Sequence, residues 1–389
     1  MRRVYLDNNA TTPVLPAVLE AMRPYLEGEF GNAASIHWYG QQARAAVERA
    51  REQVAALIGA RPAEIVFTSG GTEGDNKAIF GVCEAGDHVV TSKIEHAAVR
   101  NSCQELEKRG IEVTYLGVDS RSLVDPDDVR KALRPNTKLI SIMYANNETG
   151  SIQPVEEIGK IAGEADVWFH TDGVQAAGKI AVDVEKIGCD MLAISGHKLH
   201  APKGVGALYV RKGSVVRPLM YGGTHERGRR PGTENVPGIV GLGKACEIAK
   251  QAVEDGTMAR VAELRDRLEQ SILRTIEECG VNGEGAPRVP NTSNVFFDHI
   301  EGEPLLIALD LKGVAVATGA ACSSGAIEPS PVLLALGLGA QRARGSIRWS
   351  LSKLTTAEDI EYALTVVPEA VARLREISPT WRRAPAATR

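Results

Sequence analysis

Lys198 stands in a setting that favours covalent chemistry over a surface position. It follows the apolar run Met191–Ile194 and lies within three residues of Ser195 and His197. Burial at the end of such a run disfavours the charged form of a lysine, which frees the amine to form a Schiff base. Ser195 and His197 could then bind a phosphate beside it. The alternative is a solvated surface lysine, as most of the 45 lysine and arginine residues must be.

Asp172 could complete such a site by supplying a buried carboxylate. It follows the run Val167–His170, which predicts another central strand. A cofactor that withdraws electrons through a pyridinium ring needs a carboxylate to keep its ring nitrogen protonated. The alternative is a helix N-cap, a position that favours aspartate. With Lys198 predicted one strand away, the cofactor interpretation is the stronger one.

The segment Ser69–Thr72 is a candidate phosphate site because it places two glycines where a helix is predicted to begin. Free backbone N–H groups and the helix dipole favour an anion at such a position. By motif frequency alone, a tight turn with Thr72 as the helix N-cap is the more common case. The sequence has neither a GxGxxG fingerprint nor a GKS or GKT phosphate loop, which counts against nucleotide binding.

Four further polar residues could contact a flat ring or a substrate. His96 could stack on a ring and move protons, since imidazole titrates near neutrality, although singly it is more simply a polar residue in a first helical turn. Asn147 and Gln175 could hydrogen-bond ring substituents, although buried amides are usually structural. Arg348 lies in an Ile–Trp strand pattern, which favours a desolvated fork for a substrate carboxylate over a surface charge.

Cys322 is the one cysteine whose neighbours are nearly all small, with Gly319 and Gly325 on either side. This pattern predicts an accessible, mobile loop, followed by a helix with Ser330 as N-cap and Pro331 at its first position. Only a few per cent of an unperturbed thiol is ionised at pH 7, so a neighbour such as His96 would have to activate it. The other cysteines are expected to be inert: Cys83, Cys103, Cys189, Cys246 and Cys279.

Strands of one mostly parallel sheet are predicted to position these residues. Short runs rich in Val and Ile alternate with helix-length segments, which indicates central strands covered on both faces. Ligands of doubly wound sheets bind beyond the carboxyl ends of the strands, so the polar segments after five of these runs would face one crevice. The predicted strands are Glu64–Thr68, His88–Thr91, Leu139–Tyr144, Val167–His170, Met191–Ser195 and Gly204–Val210.

A second, smaller α+β lobe is predicted to begin near residue 250. Apolar residues from Met258 to Ile276 recur every three or four positions, which indicates a helix stripe. Thr355 and Glu358 fit a capping box for a helix through about Ile377. Strands are predicted around 294–297, 314–317 and 346–350, and strands grouped beside helices indicate an α+β arrangement. We therefore expect a large α/β domain of residues 16–250 and a small domain of residues 1–15 with 251–389.

The composition narrows the class of protein. The 389 residues exceed what one hydrophobic core usually holds, and 43 % hydrophobic with 24 % charged residues is ordinary for a globular protein. A net charge of −4 provides no basic field for nucleic acid or anionic lipid. No apolar run could span a bilayer, and the first residues lack the apolar region of a secretory signal. Six scattered cysteines without a CxxC pair indicate reduced thiols, so we expect a cytoplasmic protein without disulfides or a zinc site.

An ordered series of motifs resembles that of cysteine desulfurases of the NifS/IscS type, within the class V aminotransferase group. The resemblance runs over nearly the whole chain, from Tyr5–Thr12 to Ser346–Leu351. Each motif is weak singly, but so many in the same order are jointly specific. The motifs between these two are Phe30–Asn32, Thr68–Glu73, Ala145–Gly150, Ser195–Lys198, Gly222–Gly228 and Gly232–Val236.

The resemblance implies a pyridoxal 5'-phosphate enzyme of fold type I that converts L-cysteine to L-alanine and passes the sulfur to Cys322 as a persulfide. It implies catalytic roles for Lys198, His96 and Cys322, a substrate site at Arg348 and Asn147, and no metal site beyond a transient iron–sulfur contact of Cys322. The residues implied to hold the cofactor are Gly71, Thr72, His96, Asn147, Asp172, Gln175, Ser195, His197 and Lys198, with Thr233 from the neighbouring subunit of a homodimer.

The residues after Cys322 resemble the longer-loop group of the family, which implies donation to an iron–sulfur scaffold or another sulfur acceptor protein. Departures from the family pattern are small-for-small changes at Gly74, Gly173 and Ala201, which bear on cofactor affinity more than on chemistry. One alternative is another activity on the same fold: transamination, kynureninase-like hydrolysis or selenocysteine lysis. Another is a cofactor-binding scaffold without turnover, in which Cys322 only ligates a cluster.

Overall fold

A computed structural model describes residues 2–319 and 328–381 of the chain. In these ranges the strands are β1 (Val4–Tyr5), β2 (Ile65–Thr68), β3 (His88–Ser92), β4 (Glu112–Leu116), β5 (Thr137–Ser141), β6 (Trp168–Asp172), β7 (Met191–Ser195), β8 (Gly206–Val210), β9 (Cys279–Val281), β10 (Thr292–Phe297), β11 (Val314–Ala315) and β12 (Ser346–Ser350). The α-helices are α1 (Pro16–Glu27), α2 (Trp38–Ile58), α3 (Gly71–Val82), α4 (Ala97–Lys108), α5 (Pro126–Ala132), α6 (Val155–Glu164), α7 (Val184–Ile187), α8 (Val236–Glu254), α9 (Thr257–Thr275), α10 (Gly302–Leu311), α11 (Pro331–Ala335), α12 (Ala340–Arg344) and α13 (Ala357–Glu376). Short 3-10 helices lie at Pro62–Glu64, Gly196–Lys198 and His225–Gly228.

Seven strands form the central sheet in the order β2-β8-β7-β6-β5-β3-β4. Within it, β8 pairs antiparallel with β2 and β7, and the other described neighbours pair parallel. Successive side chains of β7 alternate between two hydrophobic cores, with Leu192 and Ile194 in one and Met191 and Ala193 in the other. Both faces of the sheet are therefore covered, as the near-continuous apolar runs predict.

The predicted strands of this sheet are confirmed, with boundaries that differ by at most three residues. Met191–Ser195 is reproduced as predicted. Strand β4, Glu112–Leu116, was not predicted; it is an edge strand whose residues are mostly half-exposed. An edge strand of this kind alternates polar with apolar residues, so a search for continuous apolar runs passes over it.

The second lobe combines the N-terminal strand with elements from the last third of the chain. Strand β10 pairs antiparallel with β9 and β12, and β1 pairs parallel with β11. The predicted apolar stripe of α9 is buried in this core. The predicted capping box is wrong by one position: Thr356 caps α13 with Asp359, because the Thr355 hydroxyl accepts a hydrogen bond from the Ser352 amide instead.

The two lobes have separate cores. The main core draws on residues from Leu15 to Ala249 with Val289, and the second on Val4, Leu6 and residues 258–371. We propose, on this basis, two domains at residues 16–250 and at residues 1–15 with 251–389. Within the described ranges, every helix is too short or too polar to cross a bilayer.

Candidate active site

A cavity of about 360 Å³ opens where the central strands end. This volume lies within the range of small-ligand sites. Five strand ends and the second lobe contribute its walls, and ten of the predicted site residues line it: Gly71, Thr72, His96, Asn147, Asp172, Gln175, Ser195, His197, Lys198 and Arg348. The crevice predicted from the strand ends is therefore present.

Lys198 reaches the cavity from the 3-10 helix that follows β7. Its ammonium nitrogen donates hydrogen bonds to the carbonyl oxygens of Asn9 and of Ala10, the second at 2.7 Å. These two carbonyl oxygens carry no formal negative charge, yet they hold the Lys198 amine in place. The N-terminal segment of the chain thus positions the lysine, 189 residues away in sequence.

Asp172 is the last residue of β6 and is 5 % exposed. One carboxylate oxygen accepts a hydrogen bond from the Val174 amide at 2.9 Å. Burial raises the pKa of Asp172, while the positive charges of His96 and Lys198 oppose that rise. The interpretation of Asp172 as a helix N-cap is wrong, because the chain turns after Asp172 and the next α-helix in the described ranges begins only at Val184.

A second buried acid, Asp75, lies beside Asp172 and also lines the cavity, although no sequence pattern predicts it. Oxygen and nitrogen atoms of Asp75, His96 and Asp172 lie within 4.8 Å of one another. Burial, with the negative charges of Asp172 and Glu95, raises the pKa of Asp75 well above its usual value. Since Asp172 faces His96 and Lys198, the proton of this pair belongs on Asp75 and the negative charge on Asp172.

His170 lies against Asp75 and does not itself line the cavity. Its Nε2 is 3.4 Å from an Asp75 carboxylate oxygen, and its Nδ1 pairs with the Ser141 hydroxyl at 2.9 Å. Burial lowers the pKa of His170 to about 3, so the ring is neutral. Asp75 therefore rests against a neutral ring and has no cation from this side to stabilise its ionised form.

The start of α3 forms one end of the site. The helix is capped by Gly70, so the interpretation of Thr72 as its N-cap is wrong. A methyl group on Gly71 would lie 2.7 Å from a Val174 methyl carbon, so glycine here allows the turn to pack closely against the segment that follows β6. The first N–H groups of a helix lack intrahelical partners, and a space of about 350 Å³ lies over them, walled also by Ser195 and His197.

His96 lies at the start of a helix and also faces the cavity, so it fits both interpretations of the sequence. It caps α4, with Nδ1 accepting a hydrogen bond from the Ala98 amide at 3.1 Å, and its side chain also lines the cavity. Because Nδ1 accepts this hydrogen bond, a neutral His96 ring carries its proton on Nε2. The ring is therefore fixed by the helix end while remaining part of the cavity wall.

Arg348 and Asn147 carry unmatched polar atoms at the same cavity. Arg348 is 3 % exposed on β12 and donates to the Asn147 carbonyl at 3.1 Å and to an Asp7 carboxylate oxygen at 2.8 Å. Its Nε and the Asn147 side-chain oxygen are buried without a partner among the described residues. Buried polar groups are normally paired, so the site fits a ligand that offers both an acceptor and a donor.

Asn9 and Lys179 form a support for the site that no sequence pattern predicts. The Asn9 carbonyl accepts from Lys198 and from the Gln175 amide nitrogen at 3.3 Å, and its side-chain oxygen accepts from Lys179 at 3.1 Å. The Lys179 ammonium also donates to the Gln175 side-chain oxygen. Gln175 is thereby fixed with its N–H donors towards Asn9 and the cavity. Burial, and then the charges of Lys198 and Arg348, lower the pKa of Lys179 well below its usual value.

Replacing Lys179 by methionine should weaken cofactor binding by about 10- to 100-fold, because the buried Gln175 oxygen loses its donor and the amide can turn over. Cofactor affinity and the absorption spectrum of the bound cofactor are the measurements. Lys186→Met is the control, since Lys186 is 73 % exposed on the surface. Equal affinity in both variants would contradict the role of Lys179 in orienting Gln175.

The structure does not place two of the predicted residues at the cavity: one lies elsewhere, and the other falls outside the described ranges. Thr233 is exposed and does not line it in the single chain. Cys322 lies outside the described residues, although Gly319, three residues before it, lines the cavity. Of the five remaining cysteines, four are buried as expected and Cys279 is half-exposed. Burial raises the thiol pKa of each of them.

The chain matches known proteins over nearly its whole length. Residues 4–363 match the family model described as aminotransferase class-V. The chain is 51 % identical to the cysteine desulfurase IscS of Dictyoglomus turgidum, with 97 % of both chains covered. It is 53 % identical to a cysteine desulfurase of Nostoc sp., over 97 % of this chain and 95 % of that one.

Solved structures show the same fold. A NifS-like protein superposes with a TM-score of 0.87 at 38 % identity, covering 96 % of this chain and all of the other. A structure described as SspA in complex with cysteine superposes with a TM-score of 0.79 at 38 % identity, covering 91 % and 100 %. The predicted fold type I architecture is therefore confirmed. The chain belongs to the class V aminotransferase family and, within it, to the cysteine desulfurases of the NifS and IscS type.

Proposed function

We propose that this chain is a pyridoxal 5'-phosphate-dependent cysteine desulfurase that converts L-cysteine to L-alanine and transfers the sulfur to Cys322 as a persulfide. The observation that carries the proposal is the single cavity that gathers a lysine amine, a buried carboxylate, a helix N-terminus and a buried arginine. The cysteine desulfurases at 51–53 % identity support the same activity.

The described residues fit the cofactor at each of its chemical groups. Its phosphate would meet the first turn of α3 at Gly71 and Thr72, with Ser195 and His197 beside it. Its ring nitrogen would face Asp172, and Lys198 would hold it covalently. The residues that would surround the ring and its substituents are His96, Asn147 and Gln175. When bound, pyridoxal phosphate supplies an electron sink for bond cleavage at the substrate's α-carbon.

Arg348 and Asn147 would bind the carboxylate end of cysteine. A guanidinium whose Nε lacks a partner among the described residues can add an acceptor without losing an existing hydrogen bond. Asp7 and the Asn147 carbonyl accept hydrogen bonds from the other two nitrogens of Arg348. The guanidinium group is therefore held in place before substrate binds. The substrate is thereby oriented in the cavity that Lys198 also lines.

Proton transfer and sulfur transfer would use different side chains. Lys198, freed when substrate binds, would remove the proton from the α-carbon, and Asn9 and Ala10 would hold its ammonium afterwards. The Cys322 thiolate would attack the sulfur of the substrate, so that an S–S bond forms as the C–S bond breaks. The remaining three-carbon unit would take up protons and leave as alanine. His96 would exchange protons beside these groups.

The proposal includes a homodimer in which Thr233 of one subunit completes the phosphate site of the other. Exposed apolar side chains on residues 30–39 and 215–221 support it, among them Phe30 at 76 % exposure, Ile36 at 91 % and Tyr221 at 88 %. Ala33 of the first segment and Gly223, two residues after the second segment, line one cavity. Large exposed apolar surfaces of this kind mark association sites.

The proposal also includes a cytoplasmic location and onward transfer of the sulfur to an iron–sulfur scaffold or another acceptor protein. Its support is the resemblance of the residues after Cys322 to the longer-loop group, together with the IscS names of relatives at about half identity.

The deciding experiment incubates the holoenzyme with L-cysteine. We expect alanine to form, and mass spectrometry to find one added sulfur atom on the peptide that contains Cys322. Turnover with a keto acid or with kynurenine, in place of alanine formation, would contradict the proposal in favour of another class V activity. A yellow protein that forms no alanine would instead indicate a binding scaffold.

A further inference from the structure

Glu148 is a buried carboxylate that the site described above does not use. It lies in the turn after β5 and is 5 % exposed. Its backbone is fixed on both sides, because its amide donates to the Asn146 side chain at 2.8 Å and its carbonyl accepts from the Asn294 side chain at 3.1 Å. One carboxylate oxygen, Oε2, accepts a hydrogen bond from the Ser330 hydroxyl at 2.6 Å.

The same carboxylate also lies against Gly319. A methyl group on Gly319 would come within 2.0 Å of the Glu148 Oε2, so any larger residue at this position would displace the carboxylate. Gly319 lines the cavity, and Ser330 caps α11 by accepting from the Leu333 amide. Gly319 and Ser330 stand on opposite sides of Cys322 in the sequence. One carboxylate therefore contacts the chain before and after the sulfur-accepting cysteine.

We propose that ionised Glu148 is a positioning residue that fixes the flanks of the sulfur-accepting segment, so that sulfur transfer depends on its charge while substrate binding does not. The inference rests on the proposed function, since it assigns a role within the sulfur-transfer step. A hydroxyl donating to a carboxylate makes a stronger hydrogen bond than one donating to a neutral group. Loss of the charge therefore loosens Ser330 and, with it, the start of α11.

The groups that face Glu148 set the pH at which it loses its charge. Burial raises the pKa of Glu148 to about 7, against the hydrogen bond from Ser330 and the positive charges of Arg348, Arg100 and His96. Arg348 comes from β12 and is itself paired with Asp7, while Arg100 and His96 come from α4 and its cap. Glu148 is thus ionised above about pH 7 and neutral below it.

The test measures alanine formation by the holoenzyme as a function of pH. In the wild-type enzyme, the rate should fall as pH drops through about 7. Glu148→Gln should form alanine roughly 10- to 100-fold more slowly at pH 8 and should lose that step in its profile. The hydrogen bond from Ser330 lowers the pKa of Glu148, against the effect of burial. Ser330→Ala removes this hydrogen bond, so the fall in rate should occur at a higher pH in this variant. Glu328→Gln is the control, because Glu328 is an exposed carboxylate on the same flank.

Substrate binding separates this inference from the proposed function. Cysteine should perturb the cofactor absorption of Glu148→Gln at the wild-type concentration, because that change precedes sulfur transfer. If Glu148→Gln kept the wild-type pH profile of alanine formation, the inference would be overturned. It would also be overturned if the fall in rate occurred at the same pH in Ser330→Ala as in the wild type. The Ser330→Ala variant therefore tests the inference even if Glu148→Gln fails to fold. Absence of alanine formation in the wild-type enzyme would overturn the proposed function instead.

Discussion

Replacing Lys198 by alanine should leave a folded protein that forms alanine from cysteine roughly 100- to 10,000-fold more slowly, the usual loss when a general base is removed. The lysine is asked to hold the cofactor and to take the substrate's α-proton. Its amine has the position for both roles, since the carbonyls of Asn9 and Ala10 hold it at the cavity. The measurement is the rate of alanine formation at saturating cofactor and cysteine.

Lys93→Ala is the matched control for this prediction. Lys93 directly follows β3, at the same carboxyl edge of the sheet, but its side chain is exposed. It should retain wild-type activity. Borohydride reduction of the holoenzyme should attach the cofactor to the peptide containing Lys198 in the wild type and in Lys93→Ala. Attachment to Lys179, a buried lysine beside the site, would contradict the assignment.

The sequence could predict Lys198 and Asp172 because each follows a buried strand. A parallel sheet brings its strand ends to one edge, so an unusual polar residue at each end is enough to place it in a shared crevice. The same reasoning placed Ser195 and Gln175. Predicting these residues required only the order of strands and helices along the chain, not the packing of side chains.

The residues that hold these groups could not be found in this way. Asn9 meets Lys198 across 189 residues and Asn291 across 282, and neither contact leaves a local pattern. Lys179 and Glu148 are charged residues that composition alone would place at the surface. Only the tertiary structure shows that both are buried and that each contacts other site residues.

The fold was predictable to a similar degree. The apolar runs indicated the inner strands, but the half-exposed edge strand β4 was missed. The start of α13 was displaced by one residue, since Thr355 and Thr356 both stand three residues before an acid and only the structure shows which hydroxyl is already used. Such choices depend on which hydrogen bond competes locally, and sequence spacing leaves them undecided.

The two neighbouring acids of the site differ in the groups that act on them. Asp75 lies against the neutral ring of His170, and burial raises its pKa well above its usual value. Burial also raises the pKa of Asp172, but His96, the Val174 amide and Lys198 oppose that rise. Two acids this close ordinarily share one proton. The unequal surroundings therefore favour the proton on Asp75 and the negative charge on Asp172.

Replacing Cys322 by serine should abolish persulfide formation and reduce alanine formation to the assay background. The other five cysteines cannot substitute for it, because burial raises their thiol pKa: that of Cys83 and of Cys246 rises to about 12, and those of Cys103, Cys189 and Cys279 also rise. The thiolate is the nucleophile, so thiols held in the neutral form are poor sulfur acceptors. A serine hydroxyl at neutral pH is a weaker nucleophile still.

Cys279→Ser is the control because Cys279 is the most exposed of the other cysteines and donates only to the Ile276 carbonyl at 3.0 Å. It should form persulfide and alanine at the wild-type rate. Cysteine should still change the cofactor absorption of Cys322→Ser, since Arg348, Lys198 and Asp172 remain in place to bind and activate it. Undiminished alanine formation by Cys322→Ser would remove the sulfur-accepting role from this residue, and with it the reason to assign Glu148 to the transfer step.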